Sequence, residues 1–105
     1  MRLDGQKKVI PLERTITDGI MRWLRANGYV AWKIHGAAYQ VTGVPDIILI
    51  ARNGRFVGLE VKRPRIGRLT ELQKKTLYGI NRAGGYGAVV TSLNEAIAAI
   101  TAAEG

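Results

Sequence analysis

The chain has 105 residues, 47% of them hydrophobic and 23% charged, with no cysteine and one histidine, enough for a single modest core. That composition excludes disulfides, thiolate metal sites and a zinc centre of the Cys/His type, and no apolar run approaches the roughly 20 residues of a membrane span. A net charge of +8 points to a polyanionic partner.

Residues 1–12 form a polar, basic lead-in without periodicity, expected to be flexible and ended by Pro11. They lack the apolar stretch of a signal peptide, so a cytoplasmic location is expected. From Glu13 the apolar residues Ile16, Ile20, Met21, Trp23 and Leu24 recur at helical spacing, and Asn27-Gly28 is a C-terminal stop. The helical and strand spacing points Trp23 and Trp32 into the core. Residues 29–35 are rich in aromatic and β-branched residues and read as a strand, followed by a loop over 36–43. Residues 46–51 and 55–62 read as two strands joined through Asn53-Gly54, a strong hairpin signal.

After Pro64 comes a basic loop, Arg65-Ile66-Gly67-Arg68. Thr70-Glu71-Leu72-Gln73 fits a capping box, opening a helix that runs to Gly84-Gly85. Residues 86–91 form an apolar fourth strand, expected at the centre of the sheet because it carries no charge. Ser92-Leu93-Asn94-Glu95 is a second capping box, before an alanine-rich terminal helix. The order αβββαβα predicts one α/β domain over 13–105 with a mixed sheet flanked by helices. Gly19 and Gly79 inside helices each cost about 1 kcal/mol relative to alanine, which suggests close helix packing or a dimer contact.

The chemistry concentrates in Gly43-Val44-Pro45-Asp46 and Glu60-Val61-Lys62. Two carboxylates and one ammonium stand in strand-like segments among Ile47, Ile48, Leu49, Val57 and Leu59. Buried charges are costly unless they pair with one another or bind a cation, and the oxygen ligands suit a hard divalent ion such as Mg²⁺. Register decides whether they meet. Alternation puts Phe56, Gly58, Glu60 and Lys62 on one face. A strict two-residue turn at Asn53-Gly54 would pair Asp46 with Val61 and place it opposite Glu60 across the sheet. A three-residue loop with Gly54 in the left-handed conformation sets Asp46 directly across from Glu60. An odd register or a bulge here is the expectation.

Basic charge gathers around the same motif. Nine basic residues lie between Arg52 and Arg82, against two acids, Glu60 and Glu71. Nucleic acid is the economical single explanation for a cation site beside such a patch.

Gly43-x-Pro45-Asp46, then Glu60-Val61-Lys62-x-Pro64 and Gln73, resembles the VRR-NUC (virus-type replication–repair nuclease) branch of the PD-(D/E)XK nuclease superfamily. The likeness runs from Glu13 to about Ser92. It implies a restriction-endonuclease-like αβββαβ core and a metal-dependent endonuclease that hydrolyses phosphodiester bonds in DNA. Stand-alone members of the family link it to branched DNA such as Holliday junctions, to DNA repair and to homodimers. The resemblance assigns Asp46, Glu60 and the Val61 backbone carbonyl to a Mg²⁺ or Mn²⁺ ion, with Glu13 as an outer ligand or water-holder. Lys62 would position or deprotonate the attacking water or neutralise phosphate charge, and Gln73 would orient the scissile phosphate or that water. Phosphate contacts fall to Arg63, Arg65, Arg68, Lys74 and Lys75, with Lys33 and His35 as further nucleic-acid contacts.

Each residue also has an ordinary structural reading. Asp46 fits a turn aspartate after proline, Glu60 a surface glutamate on a strand, and Lys62 a plain salt bridge. Glu13 complements a helix dipole, Gln73 completes the Thr70 capping box, His35 fits a structural strand-end histidine, and single arginines are ordinary surface charge. The alternative functions are a nuclease for flaps, nicked or ordinary duplex, and a non-catalytic nucleic-acid-binding module of the same fold.

Overall fold

The computed structural model describes residues 9–34 and 43–105. Three helices and four strands follow in the order α1 (Glu13–Ala26), β1 (Val30–Lys33), β2 (Ile47–Ile50), β3 (Phe56–Val61), α2 (Glu71–Arg82), β4 (Tyr86–Val90) and α3 (Leu93–Glu104). The sheet order is β1-β2-β3-β4, antiparallel across the first two pairs and parallel between β3 and β4. The elements expected from periodicity are all present, each within a residue or two of its expected limits. None of the described helices is long and apolar enough to cross a membrane.

Helix α1 buries Ile16, Thr17, Ile20, Met21 and Leu24, the single stripe that a 3.6-residue period allows. That stripe meets Ile47, Leu49 and Ala51 of the β2 segment and Val57, Leu59 and Val61 of β3. Ala96, Ala99, Ile100 and Ala103 of α3 complete the same core, so α1 and α3 share one face of the sheet. The small side chains of α3 let its backbone lie close to the strands. Helix α2 covers the other face over β3 and β4. There a Cβ on Gly58 would stand 2.9 Å from Pro45 Cγ and 3.1 Å from Ile80 Cδ1. Glycine at this position lets both residues seat directly on β3.

The hairpin between β2 and β3 has the odd register. Ile50 pairs with Phe56 and Ile47 with Leu59. The Ala51 N–H donates to the Arg55 carbonyl at 2.9 Å, leaving three residues in the loop, with Gly54 at φ 86°. The backbone at Gly54 is left-handed, as a three-residue loop requires. The hairpin tip is anchored by basic residues. Arg55 donates to the carbonyls of Gly84, Gly85 and Ala103, and Arg52 donates to the Asn27 carbonyl and lies over the Tyr29 ring. These two of the nine clustered cations are therefore structural.

Three expectations are corrected. Among the described strands β4 is an edge strand, not a central one. It lacks charge because α2 and α3 cover it from both sides, and the Asn81 carboxamide both accepts from and donates to the Gly87 backbone at 3.0 Å. That side chain blunts the outer edge as a further strand would. Trp32 is 50% exposed, because β1 lies at the opposite edge of the described sheet and α2 does not cover its side. Trp23 is half-buried, packed on the core and stacked on Tyr29 at 5.8 Å between ring centroids. Gly19 and Gly79 make no close packing contact within the described chain, since an added Cβ would meet nothing nearer than 4.0 Å.

Candidate active site

The register carries the acidic pair. With Ile47 opposite Leu59, the next pair along the ladder is Asp46 and Glu60, their side chains on the same face of the sheet. Three residues of the Gly43-Val44-Pro45-Asp46 run have a mechanical part in this. Gly43 sits at φ 91° with its Cα against Leu72 and Thr76 of α2, where a Cβ would come within 2.7 Å of Leu72 Cγ. Pro45 packs on Gly58. Asp46 then turns its carboxylate to accept the Val61 N–H at 2.8 Å. That bond gives the Val61 N–H an acceptor just past the last β2–β3 ladder pair, Ile47 and Leu59. In a strand the N–H and C=O of one residue point to the same side, so the Val61 carbonyl opens toward Asp46 as well.

Glu60 is only 2% exposed. Its Oε2 accepts from Gln73 Nε2 at 3.0 Å and lies 3.7 Å from Lys62 Nζ, whose side chain is 13% exposed. Burial, and then the Asp46 carboxyl as charge and hydrogen-bond partner, push the Glu60 carboxyl up to about 8. Lys62 pulls the other way, and Glu13, at the start of α1, adds to the rise through space. The site thus holds two carboxyl groups in contact, a third nearby, and one ammonium. That donor set fits a divalent cation, which would relieve the repulsion that now keeps a proton on the pair. No cluster of three His, Cys, Asp or Glu side chains within metal-holding reach forms among the described residues. Among the described residues, the oxygens that face one another here are those of Asp46 and Glu60.

Gln73 completes the expected capping box and also reaches Glu60. Its Oε1 accepts the Thr70 N–H at 2.9 Å while its own N–H donates to Thr70 Oγ1 at 3.1 Å, closing the capping box. The amide nitrogen that remains is thereby aimed at Glu60. The second expected box is only half formed. Ser92 caps α3 by accepting from the Glu95 N–H, but Glu95 reaches Thr91 instead of the Ser92 N–H.

Between β3 and α2 the chain makes a tight reversal immediately after Lys62. The Ile66 N–H donates to the Pro64 carbonyl at 2.8 Å across Arg65, whose φ is 66°. This is the strained form of the γ-turn, and a Cβ on Gly67 would lie 2.8 Å from the Arg63 backbone and from Lys62 Cβ. Arg65 and Arg68 are exposed on this reversal.

The basic residues separate on inspection. Arg63 donates through Nε and a terminal nitrogen to the carbonyls of Pro11 and Ile10 at 3.0 and 2.8 Å. It ties the segment before α1 to the end of β3, where sequence had suggested a phosphate contact. Lys74 pairs with Glu71 at 3.0 Å on the exposed face of α2, and Lys75 is exposed. Lys33 points to the α1 side of β1 and pairs with Asp18 at 3.2 Å. His35 and residues 1–8 lie outside the described residues. The supports that sequence reasoning missed are Gly58 beneath Pro45, Leu72 against Gly43, and the Arg63 strap. None has a motif, because each is defined by a tertiary contact.

Comparison with solved structures finds a chain described as a VRR_NUC domain, at a TM-score of 0.69 over 85% of this chain and 94% of that one. This chain has the VRR_NUC fold. The identity is 20%, so the likeness carries the fold, and the chemistry rests on the geometry above. No protein-family model matches the sequence, and no curated protein matches it significantly.

Proposed function

We propose that the chain is a divalent-metal-dependent DNA endonuclease that acts on branched DNA, such as a four-way junction, as a homodimer. The observation that carries this reading is the contact between Asp46 and Glu60, with Lys62 3.7 Å from Glu60, on a VRR_NUC fold. Asp46, Glu60 and the Val61 carbonyl would hold Mg²⁺ or Mn²⁺. When bound, such an ion supplies Lewis-acid polarisation of the phosphate and charge stabilisation in the transition state.

The side chains divide the remaining work. Lys62, on the same face of β3 as Glu60, is placed to hold the attacking water or to neutralise charge developing on the phosphate. Gln73 fixes the Glu60 carboxylate through its amide N–H, keeping one oxygen oriented. Glu13 adds negative potential at the start of α1, which favours positive charge at the pair. Arg65, Arg68 and Lys75 lie exposed beyond Lys62 and can meet the backbone flanking the cut. One subunit offers one such site, so paired cuts on two strands of a junction require two copies.

The test is a panel of a labelled four-way junction, a flap, a nicked duplex and a linear duplex, each with Mg²⁺, Mn²⁺ or EDTA. Selective cutting of the junction that EDTA abolishes is expected. Binding of every DNA with no cutting under either metal would overturn the nuclease reading in favour of a binding module.

A further inference from the structure

A second basic feature lies away from the acidic pair. An open cleft of about 350 Å³ between α1 and β1 is lined by Asp18, Met21, Arg22, Arg25 and Lys33. The four helical residues follow the i, i+3, i+4, i+7 spacing of one helix face, and β1 contributes Lys33 from the facing strand. Three cations stand against one acid. Asp18 is engaged by Lys33 at 3.2 Å, and among the described residues neither the Arg22 nor the Arg25 guanidinium has a hydrogen-bond or ion-pair partner. Both arginines are exposed. Arg52, Arg55 and Arg63 are tied to backbone carbonyls, whereas these two guanidinium groups stand exposed together beside one cleft, facing Lys33.

The position of the cleft links it to the acidic pair. Lys33 pairs with Ile47, and the next residue, Ile34, donates its N–H to the Asp46 carbonyl at 2.8 Å. The cleft therefore begins beside the strand end that carries Asp46, on the α1 face of the sheet and so across it from the Glu60 carboxyl, which faces α2, and it continues down α1 away from Glu13. From Asp18 to Arg25 the helix rises about 10 Å at ~1.5 Å per residue. Over that length Arg22, Arg25 and Lys33 present three cations to a phosphate backbone.

We propose that this cleft is a second DNA-backbone site, in which Arg22, Arg25 and Lys33 hold phosphates of a duplex arm leaving the acidic pair on the α1 side. It deepens the nuclease reading and rests on it. The exposed Arg65 and Arg68 take the arm on the other side of the pair, so two arms are gripped separately. Asp18 works against binding, since it occupies Lys33 and repels phosphate.

The experiment measures binding in EDTA by fluorescence anisotropy, across a range of NaCl, for four-way junctions with long arms or with arms clipped to a few base pairs. Wild type is compared with Arg22→Gln/Arg25→Gln and with Asp18→Asn, each checked by thermal melting; all three positions are exposed, so folding should be unaffected. On long arms the double variant should flatten the log–log salt slope by roughly 1.8, about 0.9 per lost phosphate contact, and weaken binding about tenfold or more. On clipped arms it should match wild type. Asp18→Asn should bind long arms more tightly than wild type. An unchanged slope for the double variant, an equal loss on both arm lengths, or weaker binding by Asp18→Asn would overturn the proposal. If those results accompany normal metal-dependent cutting, only the second site falls. If wild type binds no DNA, the nuclease reading falls with it.

Discussion

Replacing Glu60 with Gln should stabilise the metal-free protein, and by an amount that grows with pH. The Glu60 carboxyl, ordinarily at 4.5, is pushed up to about 8 by burial and by Asp46. Between those values the folded state binds a proton that the unfolded chain has lost. Stability is therefore fully present below about pH 4.5 and falls as pH rises, with the loss complete above about 8. At ~1.4 kcal/mol per pH unit, that interval sets a ceiling on the order of 5 kcal/mol. Relaxation of the buried site reduces what is realised to roughly 2–4 kcal/mol. Glutamine keeps the volume and can still accept from Gln73 Nε2, but it cannot ionise. The assay is urea unfolding in EDTA from pH 5 to pH 9, read as the difference between wild type and variant. The gap should be near zero at pH 5 and reach its full size by pH 8.5. Added Mg²⁺ should stabilise wild type more at pH 8.5 than at pH 5, and the variant little at either. A constant gap, or a wild type that gains stability relative to the variant as pH rises without metal, would refute the reasoning.

Gly58→Ala should cost about 1–3 kcal/mol, because its Cβ would fall 2.9 Å from Pro45 Cγ. Chemical denaturation reads the cost, and cleavage should drop with it since Pro45 seats Asp46. Thr70→Ala removes the N-cap of α2 and should lower stability by about 1 kcal/mol while leaving kcat nearly unchanged. Gln73→Ala should lower both stability and kcat, and full kcat in that variant would show that its bond to Glu60 has no part in turnover. Arg63→Ala releases the carbonyls of Pro11 and Ile10, so limited proteolysis should cut ahead of α1 sooner than in wild type. An unchanged cleavage pattern would mean that the segment is held by other contacts.

Much of the fold was readable because local signals agreed with one another. The Thr70 capping box, the Asn27-Gly28 stop and the 3.6-residue stripe of α1 each rest on interactions within a few residues. The odd register was readable for a different reason: only a three-residue turn lets two carboxylates in adjacent strands share a face, so the chemistry selected the turn. Strand order was not readable for β4. An uncharged strand signals cover on both faces, and helices α2 and α3 with the Asn81 carboxamide provide that cover at an edge as well as neighbouring strands do at a centre. Trp32 misled for a related reason, since strand alternation gives a side chain its face but not whether a helix lies over that face. Among the cations, pattern counted charges but could not assign them. Arg52, Arg55 and Arg63 spend theirs on backbone carbonyls 25 to 53 residues away along the chain. Arg22 and Arg25 were visible all along at one helix face, yet a helix with few acids leaves most of its arginines looking alike until the facing Lys33 is placed.

The central claim is that Asp46 and Glu60 together form the cation site that cuts DNA. The most direct test is Mg²⁺-dependent cleavage of a labelled four-way junction by wild type, Asp46→Asn and Glu60→Gln, with junction binding measured alongside in EDTA. Cutting by wild type alone, with both variants folded and still binding the junction, is the predicted result. Cutting at wild-type rates by either variant would place the chemistry elsewhere and contradict the account.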